Sequence, residues 1–312
     1  MLCVVAPGQG AQTPGMLDSW LGLPNIQSKI NDWSAASKVD LVLHGTKSDA
    51  DTIRDTQIAQ ALLVANSLLS IRQLFPDTKD IFRHVHVVAG HSVGELVAAA
   101  ISGVITDLEA MQLVGVRGRA MAIAANNHAT GMTAVLGGDL DLVIEHLQKL
   151  NLTAANVNGA GQVIAAGTLE ELAQLAEHPL PGTKLRPLSV AGAFHTKFMD
   201  SAVEALRGAT VELSAKDPQL TLLSNRDGAI VDTGVDVLAR IVGQVSNPVR
   251  WDLCQKSMSR INVTGMLELA PAGTLSAIAK RELKEIQTFP LKTPTDLVDA
   301  KEFALSHQRR AA

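Results

Sequence analysis

Gly90-His91-Ser92-Val93-Gly94 has the G-x-S-x-G spacing of a sharp strand-to-helix turn that pushes a serine hydroxyl outward as a nucleophile. The glycines leave room where strand and helix come close. A helix opening at the second glycine would put the Val93 amide at a helix N-terminus, beside any oxyanion that forms. An ordinary glycine-lined turn has the same letters, so context decides between them. Residues 84–89, His-Val-His-Val-Val-Ala, read as a strand, and residues 95–102 read as a helix closed by Gly103. That setting favours the nucleophile.

A serine nucleophile needs a base, and the chain has nine histidines. His84 and His86 alternate on the expected strand and read as structural, while His91 is locked in the turn. His128, His146 and His178 fall in or near a small middle unit, His44 in a polar stretch without clear pattern, and His307 in the tail. His195, in Gly192-Ala-Phe-His195, sits where the chain leaves the middle unit, and clefts form at such junctions. It is favoured over His307. Arg117 has an argument from helix lengths. A helix from Val93 to Ile101 climbs about 12 Å away from the serine, and a second from Thr106 to Arg117 returns about 16 Å. A guanidinium there could hold a carboxylate bidentately. Arg119 lies on the other side of the same helix, so one of the two should face inward.

The elements that must position these groups can be read from periodicity and turn residues. Residues 2–6 form a buried strand ended by Pro7-Gly8, and residues 60–75 and 107–126 form helices. Gly8-Gln9-Gly10 after the first strand could present N–H groups to an anion. It is no nucleotide loop, because Thr13 replaces the third glycine and no Gly-Lys-Ser/Thr follows; a second oxyanion donor fits better. The middle reads as strands at 132–136, 152–157, 162–166 and 183–188 with helices at 140–150 and 169–176, the β-α-β-β-α-β order of a ferredoxin-like unit. The expected division is therefore one α/β core, residues 1–122 and 192–312, interrupted by a subdomain at 123–191. Strands at 220–223, 263–269 and 286–290 and helices near 235–243, 251–259 and 274–285 complete the core. The polar tail from Lys301 to Arg309-Arg310-Ala-Ala is expected to fray.

The bulk properties exclude several other classes of function. The 312 residues carry 27 Lys+Arg against 31 Asp+Glu, a net charge of -4 without basic blocks, which gives no electrostatic footprint for nucleic acid or an anionic membrane. An anionic ligand must be caught locally. Cys3 and Cys254 are too few for a disulfide framework or a Cys-rich metal site, so no metal is expected. No stretch supplies the roughly 20 apolar residues of a spanning helix. The residues before Pro7 lack the basic and apolar regions of a signal peptide, and a cytoplasmic location is expected.

Pro7-Gly-Gln-Gly-Ala-Gln12, Gly90-His-Ser-Val-Gly-Glu95, Arg117, Gly192-Ala-Phe-His195 and Gln244-Val-Ser-Asn-Pro-Val-Arg-Trp251 together resemble the malonyl-CoA:acyl-carrier-protein transacylases, over nearly the whole chain. The resemblance implies an α/β-hydrolase-like core with a ferredoxin-like insertion. It implies Ser92 as acylated nucleophile and His195 as its base, oriented by the backbone carbonyl of Gln244. Arg117 would hold the malonyl carboxylate, and the amides of Gln9 and Val93 would form the oxyanion hole. Asn158 would line the cleft, and Phe194 resembles the malonyl-selecting form of its motif. The implied donor is malonyl-CoA with no tightly bound cofactor, and the implied partner is an acyl carrier protein.

Departures from the pattern narrow the branch. Ala6 stands before Pro-Gly-Gln-Gly where phenylalanine is usual, Pro14-Gly-Met-Leu17 replaces a longer Gly-Met-Gly-type continuation, and Ala61 follows Gln60 where proline is expected. These features look closer to the malonate decarboxylase epsilon subunit, whose carrier subunit bears a dephospho-CoA-type thiol, than to the fatty-acid-synthesis transacylase with its phosphopantetheine thiol. That second branch is the alternative. Two rivals come from other classes: a patatin-like serine hydrolase using Ser92 and Asp227 of Asp227-Gly228-Ala229, and an idle subunit that only docks a carrier.

Overall fold

Two sheets organise the chain in a computed structural model that describes residues 1–308. The strands are β1 (Leu2–Ala6), β2 (Val87–Gly90), β3 (Thr130–Leu136), β4 (Thr153–Gly159), β5 (Gln162–Thr168), β6 (Lys184–Pro187), β7 (Thr221–Leu223), β8 (Ile230–Val231), β9 (Val249–Arg250), β10 (Gly265–Glu268) and β11 (Gln287–Pro290). The larger sheet has the order β11-β10-β1-β2-β7-β8, parallel except for the β7–β8 pair. Its central strands are covered on both faces, which is why β1 and β2 are unbroken runs of buried residues rather than alternating ones.

The register of β1 and β2 does the first part of the functional work. Ala6 lies beside Gly90, so both strands end at the same level and their loops, Pro7–Gly10 and His91–Val93, leave side by side. Ligand sites of open parallel sheets form at these carboxyl ends. Gly90 and Gly94 allow the close turn: a methyl on Gly90 would overlap the Gly94 carbonyl, and one on Gly94 would overlap Ala6 O.

The smaller sheet has the order β6-β3-β5-β4-β9, with β3 to β6 antiparallel to their neighbours and β4 parallel to β9. Its helices, Leu140–Lys149 and Leu169–Glu177, complete a β-α-β-β-α-β order, and Thr168 and Glu171 make a capping box at the start of the second. The fifth strand is not local. β9 comes from the segment just after Gln244 and bonds to β4, so the small sheet is stitched to the core by a strand outside the 123–191 range. A two-residue strand carries too little periodicity to be read from sequence.

Several elements differ from expectation. Residues 78–84 are a helix capped by Asp77, and the strand begins only at Val87; His84 therefore ends a helix instead of alternating on a strand. The first core helix begins at Thr56, because the Asp55 carboxylate accepts the Gln57 and Ile58 N–H groups. The patternless stretch around His44 holds the helices Ile26–Ser37 and Leu41–Thr46, and Asp200–Thr210 adds another. The tail does not fray through residue 306: Leu297–Ser306 is a helix that buries Ala300 and Ala304. Arg309-Arg310-Ala-Ala lies outside the described residues. No single helix among the described residues is long and apolar enough to cross a membrane.

Candidate active site

Ser92 occupies the turn between β2 and the helix Gly94–Ile101 with φ +53°. His195 also has a positive φ, +62°. Left-handed backbone at a residue other than glycine costs about 1–2 kcal/mol, and its appearance at both members of one pair marks a site held by its surroundings. The two side chains meet: Ser92 Oγ is 2.8 Å from His195 Nε2, and His195 Nδ1 is 2.8 Å from the Gln244 carbonyl oxygen. A backbone carbonyl only accepts, so Nδ1 carries the proton and Nε2 is the lone-pair nitrogen facing the hydroxyl. No carboxylate is needed to set that tautomer.

Arg117, on the helix Asp107–Ala125, returns to the serine as the helix lengths required. It is 1% exposed, and Nη2 donates to Ser92 Oγ at 3.2 Å and to Gln244 Oε1 at 3.1 Å, while Nη1 donates to Gln60 Oε1 at 2.7 Å. All three acceptors are neutral, and no ion pair involves this guanidinium among the described residues. Arg119 turns the other way and donates to Ser37 O. Burial lowers the Arg117 pKa to about 10, which leaves it a cation at neutral pH. The result is a buried positive charge next to the reactive hydroxyl with no carboxylate in direct contact, Glu95 acting on it only across the Gln244 side chain.

Burial, and then the Arg117 charge, push the His195 pKa down to about 3. The imidazole is thus neutral and ready to accept a proton across the ordinary pH range. Burial also lowers His91, whose Nε2 lies 2.9 Å from Asn158 Oδ1. Asn158 Nδ2 donates to Gln162, so Asn158 ties the elbow to the small sheet while lining the cleft. The Ser92 N–H is taken by Asn225 Oδ1 at 2.8 Å. The Val93 and Gln9 N–H groups donate to nothing among the described residues. A cavity of about 160 Å³ opens over Ser92 and His195, with Gln9 on one side and Phe194, Met121 and Met132 among its apolar walls.

The structure also dismisses the other candidates. Asp227 lies 2.8 Å and 3.0 Å from Arg240 Nη1 and caps the turn at Ala229, so no Ser92–Asp227 dyad exists. His307 is buried against Gly265 with Nδ1 3.0 Å from Thr264 Oγ1, and it serves no serine. His86 Nδ1 accepts the Leu2 N–H. Three residues at the centre escaped the sequence reading: Gln60, Asn225 and the carboxylate of Glu95. Gln60 is a polar residue inside an apolar helical stretch, a signal that could have been followed. Asn225 reads as an ordinary turn residue.

Residues 4–301 match the family model described as acyl transferase domain. The malonyl CoA-acyl carrier protein transacylase of Mycobacterium tuberculosis (strain ATCC 25618 / H37Rv) is 46% identical over 297 residues, covering 95% of this chain and 98% of that protein. That of Escherichia coli (strain K12) is 28% identical, over 96% and 98%. Among solved structures, MCAT from Mycobacterium tuberculosis superposes with a TM-score of 0.93 at 45% identity, covering 96% of this chain and 99% of that one.

Proposed function

The chain belongs to the acyl transferase domain family, and from that premise we propose that it is a malonyl-CoA:acyl-carrier-protein S-malonyltransferase working through a malonyl ester on Ser92. The observation that carries the reading is Arg117, a buried guanidinium beside the nucleophile with only neutral acceptors. A substrate carboxylate is the partner it lacks. The near-full-length relatives named as malonyl CoA-acyl carrier protein transacylases support the same substrate.

The residues act in a ping-pong sequence. His195 Nε2 accepts the Ser92 Oγ proton as Oγ bonds to the thioester carbonyl carbon, and the Gln9 and Val93 amides hold the oxyanion. Collapse breaks the C–S bond, and the CoA sulfur leaves with the proton from His195. The carrier thiol then attacks the Ser92 ester by the same steps in reverse, without a bound cofactor or metal. Pairing of Arg117 with the malonyl carboxylate removes the second cause of His195's low pKa, so the base strengthens when the right substrate is seated. Phe194 crowds the space where an α-branch would sit, and Asn158 lines the acyl side of the cleft.

The β-α-β-β-α-β order supports reading residues 123–191 as a ferredoxin-like insertion in an α/β-hydrolase-like core at 1–122 and 192–312. The acceptor is read as the carrier of the fatty-acid-synthesis branch, the alternative named above, rather than a malonate decarboxylase subunit, because the near-full-length relatives are named as malonyl CoA-acyl carrier protein transacylases. Ala6 and Ala61, which drew the resemblance to the malonate decarboxylase epsilon subunit, are fully buried spacers in β1 and the helix Thr56–Leu74, and they bear on packing rather than on the acceptor. The reaction needs a cytoplasmic pool of CoA thioester, consistent with reduced Cys3 and Cys254.

Incubation of the wild-type protein with malonyl-CoA, followed by intact-mass measurement, should give one malonyl adduct that a carrier thiol discharges. Absence of the adduct would leave the idle docking subunit standing. Fatty-acyl ester hydrolysis should be slow and should not change in Asp227→Asn; rapid hydrolysis lost in that variant would restore the lipase reading.

A further inference from the structure

Glu95 opens the helix after the nucleophile and is 4% exposed. Both its oxygens are engaged. Oε1 accepts the Asn225 N–H at 2.6 Å, and Oε2 accepts from Gln244 Nε2. These two partners hold the whole site between them. The Gln244 carbonyl fixes His195, and its side-chain oxygen accepts from Arg117. Asn225 Oδ1 accepts both the Ser92 and Gln244 amide protons, and Asn225 Nδ2 donates to Gly90 O at 2.7 Å.

We propose that Glu95, as a carboxylate, is the positioning residue that holds Gln244 and Asn225, and through them His195, Arg117 and Ser92, in one working arrangement. The inference rests on the transferase reading above. Two N–H donors facing its two oxygens favour the charged form: a carboxylate accepts strongly at both, whereas a protonated carboxyl keeps one full acceptor and only a weak one at its hydroxyl oxygen. Protonation therefore weakens the tie that fixes the carbonyl and the side chain of Gln244.

Burial raises the Glu95 pKa to about 7, so the switch between the two forms falls in the working range. Arg117 from the helix Asp107–Ala125 and Arg240 from the helix Gly234–Gln244 oppose that rise, and Asp227 from the turn after β7 adds to it. The Cys254 thiol, on the helix Trp251–Arg260, is pushed up by burial and by the Glu95 charge, and stays neutral. Burial, the first cause of the lowered His195 pKa, persists with substrate seated, and a limb that survived in Glu95→Gln would belong to His195 instead.

The test is the rate of Ser92 acylation at saturating malonyl-CoA, read by CoA release between pH 5 and 9. In the wild type the rate should fall as pH drops through about 7 and level at a low plateau. Glu95→Gln, which has the donor–acceptor pattern of the protonated acid, should be flat with pH at that plateau, at least about tenfold below the wild type at pH 9. Asp227→Asn removes a charge that raises the Glu95 pKa; it should keep the full rate at pH 9 and move the acid limb to lower pH. A flat wild-type profile or a Glu95→Gln variant that retains the limb would overturn the proposal. The wild-type and Asp227→Asn arms do not depend on Glu95→Gln folding. Absence of any malonyl adduct at every pH would instead overturn the transferase reading.

Discussion

Replacing Ser92 by Ala is expected to remove the malonyl adduct altogether and to lower transfer to the carrier by about 10⁴-fold or more, the scale on which loss of a covalent nucleophile is felt. The change is small in structure. Ser92 Oγ has two neighbours, His195 and Arg117, and Ala keeps the backbone N–H that Asn225 accepts. It leaves the turn's positive φ as strained as before. Thermal stability should therefore stay within about 1–2 kcal/mol of wild type, and CoA binding should persist. A mass adduct surviving in this variant would place the acyl group elsewhere and sink the assignment of the nucleophile.

The second large effect is one of selectivity. Arg117→Ala should lower kcat/KM for malonyl-CoA by about a hundredfold or more, corresponding to the roughly 3 kcal/mol lost when a buried charge pair loses one partner. Transfer of an acetyl group should change by less than about tenfold, and it can rise. In the wild type an acetyl group leaves the guanidinium without an anion, and the unpaired buried donor is itself the barrier to the wrong substrate. Removing the donor removes that barrier. The comparison of the two acyl groups separates recognition from general damage to the site, because Arg117 also touches Gln60 and Gln244, whose disturbance acts on both substrates alike. Equal losses for malonyl and acetyl would overturn the carboxylate role.

Much of the candidate site was legible because its chemistry is written locally. The Gly90–Gly94 spacing, a strand before it and a helix after it, specify a strained turn, and the strain is present as Ser92's positive φ. Arg117 was legible because helix rise is a constant: two antiparallel helices of known length return a residue to a known level. His195 was harder. Nothing in its neighbours separated it strongly from His307, and the choice rested on a seam between subdomains. The structure decides it with a 2.8 Å contact to Ser92 and a helix that carries His307 to Thr264 instead.

The outlying misreadings share a cause. The tail from Lys301 is polar in composition, yet its helix buries only a narrow stripe that includes Ala300 and Ala304, too few apolar positions to dominate a window. The short β9 is set by pairing with β4, a partner almost a hundred residues away in sequence, and no local pattern announces it.

The sequence by itself determined the reactive turn, the strand–helix alternation, the β-α-β-β-α-β unit and the returning arginine, because each depends on neighbours within one or two elements. Only the tertiary structure decided which histidine serves the serine, that no carboxylate among the described residues is in ion-pair contact with Arg117, and that Glu95 and Asn225 bind the site together. Those facts are hydrogen bonds between groups up to about 150 positions apart, such as Gln244 with Glu95, and they exist only once the parallel strands have brought their carboxyl ends to one level. Burial then sets the protonation states, which depend on exclusion of water rather than on the identity of the residue alone.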